Sequence, residues 1–251
     1  MDNLPSGSHS KIVRLDQPLD RQKNHVVIAM VAQDQMQTDT AMCLAAMCLQ
    51  LKAGGLLSVK SSIIPTGRNM AVDGARKLGA EWILFLDSDV TFPSATLTHL
   101  LSRGKDIVGA TYPKRVPPHN LLYRLLPQDD RIEVADGVVE VMGLPGGCLL
   151  VNMKVFDKLT KPYFQTPGFS IGQEIPKALQ EYVTPADVPE IMGEDYFFCA
   201  MARAAGFKIW LDVNLTEQIG HIGQQIWFPQ TYAEQEPHGK PSAGVPKVVQ
   251  H

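Results

Sequence analysis

The sequence predicts an α/β fold: a central, mostly parallel sheet flanked by helices, with a small antiparallel hairpin. Three observations carry this expectation. Short, wholly apolar runs recur along the chain, at Val26–Ala32, Trp82–Leu86 and Cys148–Val151, and an unbroken apolar run of this length suits a strand buried on both faces. Helix-like segments with short connections separate the first strands, and parallel neighbours need such crossovers. The 251 residues are 45% hydrophobic and 20% charged, a composition that can bury a sizeable core.

The elements follow in order. Val26 to Ala32 reads as the first strand. Thr38-Asp39-Thr40 can cap a helix from Ala41 to Lys52, with Gly54-Gly55 ending it. Leu56 to Ile64 reads as the second strand, interrupted by Pro65-Thr66-Gly67, and Asn69 to Leu78 as the second helix, closed by Gly79. The run from Trp82 is the third strand. Pro93-Ser94 leads into a helix to Ser102, and Asp106 to Ala110 is a short strand. Pro113, Pro117 and Pro118 break regular structure. Arg131–Val134 and Val138–Val141, around Ala135-Asp136-Gly137, predict the hairpin. Cys148 to Asn152 is a strand, followed by a helix from near Lys154. Lys161 to Glu190 reads as a long connection with at most one short helix. Asp195 to Ala205 is helical in pattern, closed by Gly206, and Phe207 to Leu211 returns as a strand. The expected organisation is a polar lead-in over 1–24, one domain over 25–232 and a polar tail over 233–251.

Bulk properties exclude several functions. A net charge of -3, with Lys114-Arg115 as an adjacent pair and no basic cluster, offers no footprint for nucleic acid. Cys43, Cys48, Cys148 and Cys199 lack CxxC spacing and stand in apolar surroundings, as free thiols do. No run approaches the roughly 18 apolar residues of a membrane span, and Met1 to Asn24 does not resemble a signal peptide. A cytoplasmic location is expected.

Four features carry candidate chemistry, each with a plainer alternative. Asp87-Ser88-Asp89 ends a buried strand with two carboxylates. Oxygen ligands suit Mg²⁺ or Mn²⁺ bridged to substrate phosphates; the alternative is a turn. In Gly193-Glu194-Asp195 a carboxylate can act as general base, or the acids simply complement a helix N-terminus. His221, flanked by Gly220 and Gly223 in Ile219–Gly223, suits a Mn²⁺ environment beside carboxylates; the alternative is a packed core histidine. Gly146-Gly147 can expose backbone N–H groups to a sugar or phosphate, or make an ordinary turn.

In order and spacing these features resemble GT-A-fold glycosyltransferases, most closely the family 2-like enzymes, from Val26 to about Gly223. The resemblance rests on Thr66-Gly67-Arg68-Asn69 before a helix, Asp87-Ser88-Asp89 after a strand, Gly146-Gly147-Cys148-Leu149-Leu150-Val151, and Gly193-Glu194-Asp195-Tyr196. It implies a metal-dependent transfer of sugar from a nucleotide-diphosphate donor to a hydroxyl acceptor (saccharide, lipid or protein). Asp87 and Asp89 would form the DxD motif, with Asp89 on Mn²⁺ or Mg²⁺ and Asp87 shared between metal, ribose or sugar. His221 would complete the metal site. Asp195 would deprotonate the acceptor in an inverting reaction, and Glu194 would bind acceptor or donor sugar. Arg68 would approach the diphosphate. Ala32, Gln33 and Asp34 would lie near the nucleoside, and Asn69, Ser88, Gly146 and Gly147 complete the expected substrate contacts.

The chain also departs from the pattern. Leu57 to Ser62 carries no acid of the kind that reads uracil in many family 2 enzymes, so the base is open. A late histidine also occurs in retaining members, so the stereochemistry is open as well. The alternatives are a nucleotidyltransferase, although Ala32 to Gln37 lacks a Gly-rich basic loop, and a catalytically silent nucleotide-sugar-binding protein. A dinucleotide-dependent dehydrogenase is disfavoured, because no GxGxxG follows the first strand.

Overall fold

Strict alternation along two central strands builds the molecule. In a strand, successive side chains point to opposite faces. In β2 (Val26–Ala32), Val27, Ala29 and Val31 enter one core while Val26, Ile28 and Met30 enter the other. In β4 (Trp82–Asp87), Ile83 and Phe85 join the first core, and Leu84 and Leu86 the second. Apolar residues on both faces are what a central strand with helices above and below requires. The structure is a computed structural model and describes residues 10–13, 25–50, 55–126, 136–169, 174–180, 190–223 and 226–227.

The other strands are β1 (Ser10–Val13), β3 (Gly55–Lys60), β5 (Val90–Thr91), β6 (Ile107–Gly109), β7 (Val138–Val141), β8 (Cys148–Asn152), β9 (Gly168–Phe169), β10 (Glu190–Ile191), β11 (Ile209–Asp212), β12 (Gly220–Ile222) and β13 (Ile226–Trp227). The helices are α1 (Thr38–Gln50), α2 (Ile64–Lys77), α3 (Thr96–Ser102), α4 (Met153–Phe156), α5 (Glu194–Ala204) and α6 (Val213–Thr216). An eight-stranded sheet runs in the order β1-β3-β2-β4-β8-β6-β11-β7. β2, β3, β4, β6 and β11 run one way and β1, β7 and β8 the other. The expected mostly parallel α/β architecture is therefore present. Small antiparallel sheets add β9 to β10 and join β13-β12-β5.

The first core lies under α2 and α5, with Ala71, Val72 and Ala75 from one and Phe198, Cys199 and Ala202 from the other. Phe198 stacks on Phe164 at 4.9 Å and on Phe156 at 5.4 Å, and Phe85 meets Phe164 edge-on at 5.4 Å. Each of these fully buried rings contributes on the order of 1.5–3 kcal/mol, which fixes α5 against the sheet. The second core holds Leu44 and Met47 of α1, Leu97 and Leu100 of α3, and Leu215 of α6.

Several local expectations shift. β3 ends at Lys60, and α2 starts at Ile64 with Pro65 inside its first turn. The first turn needs no N–H from Pro65, so the proline opens this helix where the sequence reading had it break a strand. Gly67 then lies on β2: a Cβ there would fall 2.3 Å from Val31 Cγ1. The residues expected to cap the first helix, Thr38 to Thr40, form its first turn, and its expected end over 51–54 lies outside the described residues. Asn152 caps α4 by accepting from the Lys154 N–H at 3.0 Å. Within the expected polar lead-in, Ser10–Val13 pairs antiparallel with β3 as an edge strand. The second arm of the expected hairpin, β7, pairs antiparallel with β11, while its first arm lies in 127–135, outside the described residues, as does the tail 233–251. All four cysteines are free. Among the described residues, no helix is long and apolar enough to cross a membrane.

Candidate active site

Alternation along β4 puts residue 87 on the same face as Ile83 and Phe85, the face covered by α2 and α5. Asp87 meets cations and donors there. Its Oδ1 accepts from Arg68 Nη2 of α2 at 3.0 Å, and its Oδ2 accepts from the Tyr112 hydroxyl at 3.2 Å. Arg68 is 3% exposed and also pairs through Nε with Glu194 Oε1 at 3.4 Å. Burial works against its charge, but Asp87, Glu194 and Asp195 outweigh that and hold its pKa above the usual value. Burial first, then Asp87, raises Tyr112 well above an ordinary phenol, so it serves as a hydroxyl donor.

The glycine pair packs directly on this cluster. A Cβ on Gly146 would fall 1.1 Å from Arg68 Nη1, and one on Gly147 would fall 2.2 Å from the Tyr112 hydroxyl and 2.6 Å from Asp87 Oδ2. Only a bare backbone leaves room for the guanidinium. Arg68 Nη1 is buried and has no partner among the described residues. A buried N–H without an acceptor is costly and marks a place for one.

Asp195 stands in the first turn of α5, after Gly193 at its N-cap. Its Oδ1 accepts from the Tyr196 N–H at 2.8 Å and its Oδ2 from the Gly146 N–H at 3.3 Å. Burial, and then the neighbouring Glu194 carboxylate, push its pKa up to about 6. A carboxylate in that range is ionised at neutral pH yet basic enough to take a proton.

Asp89 lies past the end of β4 and faces different partners. Its carbonyl accepts from the Ile222 N–H at 2.8 Å, and β5 pairs with β12 so that His221 stands opposite Val90. His221 Nδ1 is 2.8 Å from the Pro113 carbonyl. A carbonyl can only accept, so Nδ1 carries the proton and Nε2 keeps its lone pair. That Nε2 lies 3.9 Å from Asp89 Oδ2. Burial lowers the His221 pKa and favours the neutral ring. Burial and then Asp87 raise Asp89. Arg115 Nη1 also approaches Asp89 Oδ2, at 3.1 Å.

Among the described residues, no group of three His, Cys, Asp or Glu side chains is arranged to hold a metal ion. Asp89 and His221 nevertheless fit a divalent ion as a partial donor set, one carboxylate and one neutral imidazole. Such ions commonly complete their coordination with water and substrate phosphate oxygens.

The remaining expected residues are more dispersed. Gln33 and Asp34 are exposed beyond β2, with Ala32 half-buried, and Asp34 pairs with Lys60 at 2.7 Å. The Ser88 carbonyl accepts from the Gln37 N–H at 2.9 Å, tying the turn from Asp87 to Asp89 to the start of α1. Asn69 is a clamp: its amide donates to the Pro65 and Phe164 carbonyls, and its oxygen accepts from the Tyr163 and Phe164 N–H groups. Those four bonds use all its hydrogen-bonding capacity. Sequence reasoning expects the segment from Tyr112 to Leu126 to shape the acceptor site but singles out neither Tyr112 nor Arg115 within it. Their one signal was position, in the irregular segment that follows a strand of the sheet.

No protein-family model matches the chain, and no curated protein matches it. Solved structures do. The crystal structure of A197 from STIV matches with a TM-score of 0.53 at 13% sequence identity, over 90% of this chain and 99% of that one. The crystal structure of GalNAc-T7 with UDP, GalNAc and Mn²⁺ matches with a TM-score of 0.43 at 12% identity, over 81% of this chain and 45% of that one. The likeness to A197 is one of fold.

Proposed function

We propose that the chain is a metal-dependent glycosyltransferase that moves a sugar from a nucleotide-diphosphate donor to a hydroxyl acceptor with inversion. The observation that carries this reading is one strand end that gathers the Asp89–His221 donor pair, an Asp195 carboxyl whose pKa is pushed up to about 6, and a buried Arg68 guanidinium with an N–H that has no partner among the described residues.

In this reading Asp89 and His221 Nε2 hold Mn²⁺ or Mg²⁺, which when bound offsets charge on the departing diphosphate. Arg68 keeps Asp87 oriented toward the donor and offers its free N–H to an acceptor oxygen of the substrate. Gly146 and Gly147 let the donor approach bare backbone. Ala32, Gln33, Asp34 and Ser88 border the nucleoside side, and Glu194 contacts sugar or acceptor. Asp195 takes the proton from the acceptor hydroxyl as its oxygen bonds to the anomeric carbon. The bond from that carbon to the phosphate oxygen breaks, and its electron pair leaves with the nucleoside diphosphate.

The test is release of nucleoside diphosphate from a panel of nucleotide sugars with Mn²⁺, slow hydrolysis included. Wild type is expected to turn over one donor. Asp195→Asn is expected to lose about 10²–10⁴-fold in rate while still binding it. Turnover of Asp195→Asn at the wild-type rate would overturn the base assignment, and no release from any donor would overturn the activity.

A further inference from the structure

Asp89 Oδ2 is the oxygen on which two groups converge: His221 Nε2 at 3.9 Å and Arg115 Nη1 at 3.1 Å. The guanidinium therefore already neutralises the acid that, in the reading above, receives a divalent ion. It is seated there by two elements. Its head is on the turn after β4, and its aliphatic stem runs over Gly223, where a Cβ would lie 3.2 Å from Arg115 Cγ and Cδ. The Arg115 side chain is 51% exposed and Asp89 is 23% exposed, so the arginine can swing into water while the acid stays in place.

We propose that Arg115 is a built-in competitor for the metal, holding Asp89 in the absence of a divalent ion and leaving it when one binds; this rests on the metal reading above. The physical reason is direct. An ion on Asp89 Oδ2 would stand within a few ångströms of the guanidinium, where like charges repel strongly, and both need the same oxygen. By linkage, whatever draws Arg115 away tightens metal binding, and metal binding in turn releases Arg115 and the residues around it. The site would then resist divalent ions until donor phosphates help recruit them.

The test is Mn²⁺ binding without nucleotide, followed by the loss of the free-ion electron paramagnetic resonance signal. It compares wild type, Arg115→Ala, Arg115→Lys and Asp89→Ala, each checked for folding by thermal melting. Arg115→Ala is expected to bind Mn²⁺ about fivefold more tightly than wild type, the factor matching the upper end of what an exposed ion pair is worth. Arg115→Lys, which keeps the charge, is expected to stay near wild type. Should Arg115→Ala bind no more tightly while Asp89→Ala abolishes binding, the competition is overturned and the metal site stands. Should neither wild type nor Arg115→Ala take up Mn²⁺, even with UDP or GDP present, the metal reading falls and the competition with it.

Discussion

Asp87 and Asp89 are separated by one residue, yet the fold treats them in opposite ways. Asp87 faces the α2–α5 layer, where Arg68 and Tyr112 each bind one of its oxygens. Asp89 lies beyond the strand and is met by an arginine that is half in water and by His221 at 3.9 Å. The difference lies in the partners rather than in the acids, whose side chains are 31% and 23% exposed: Asp87 is bound by an arginine and a tyrosine that are both buried, whereas the arginine on Asp89 is 51% exposed. In the proposed function, the buried partners of Asp87 fix its orientation toward the donor, and the looser partners of Asp89 leave it for the metal.

The largest effect should come from breaking the buried side. Arg68→Ala leaves the Asp87, Glu194 and Asp195 carboxylates facing one another without a cation. Removing one partner of a buried ionic group costs about 3–5 kcal/mol, so urea unfolding should show a loss of that order. A loss below about 1 kcal/mol would mean that the cluster is open to solvent and that the contrast with Asp89 is false.

Asp195 sharpens the comparison through pH. Its pKa in the fold, about 6, lies above the usual value of 3.8, so the folded state holds its proton more tightly than the unfolded chain. Stability from this group is therefore greatest below about pH 4 and is withdrawn as the pH rises through about 6. The integrated effect is of the order of 3 kcal/mol. Asp195→Asn should flatten the fall in stability between pH 4 and pH 7. In wild type, the acid limb of the pH–rate profile should lie near pH 6.

The sheet was legible in the sequence because its strands carry apolar residues on both faces; Val26–Ala32 and Cys148–Asn152 are found with the boundaries expected. The start of α2 was not legible. Pro65 and Gly67 signal a break when read locally, and only packing of Gly67 against Val31 shows that they begin a helix. Asp87, Asp89, Asp195, Gly146, Gly147, Arg68 and Glu194 were picked out by motif, and the fold gathers them at one strand end. What motif could not supply was the partnership between them. Tyr112 and Arg115 come from an irregular segment with no periodicity to read, and the commitment of Asn69 to Phe164 depends on a contact 95 residues away.

The smallest stability effect should accompany the largest binding effect. Asp89→Ala removes an exposed ion pair worth at most about 1 kcal/mol, so its melting temperature should stay close to that of wild type. The measurement that tests the central claim most directly is thermal melting of wild type and Asp89→Ala with a panel of nucleoside diphosphates, each with and without Mn²⁺. A ligand that binds only the native state raises the melting temperature by mass action. A Mn²⁺-dependent rise with one nucleoside diphosphate is expected in wild type and none in Asp89→Ala. An equal rise in both proteins, or no rise in wild type with any nucleotide at millimolar levels, would contradict the claim.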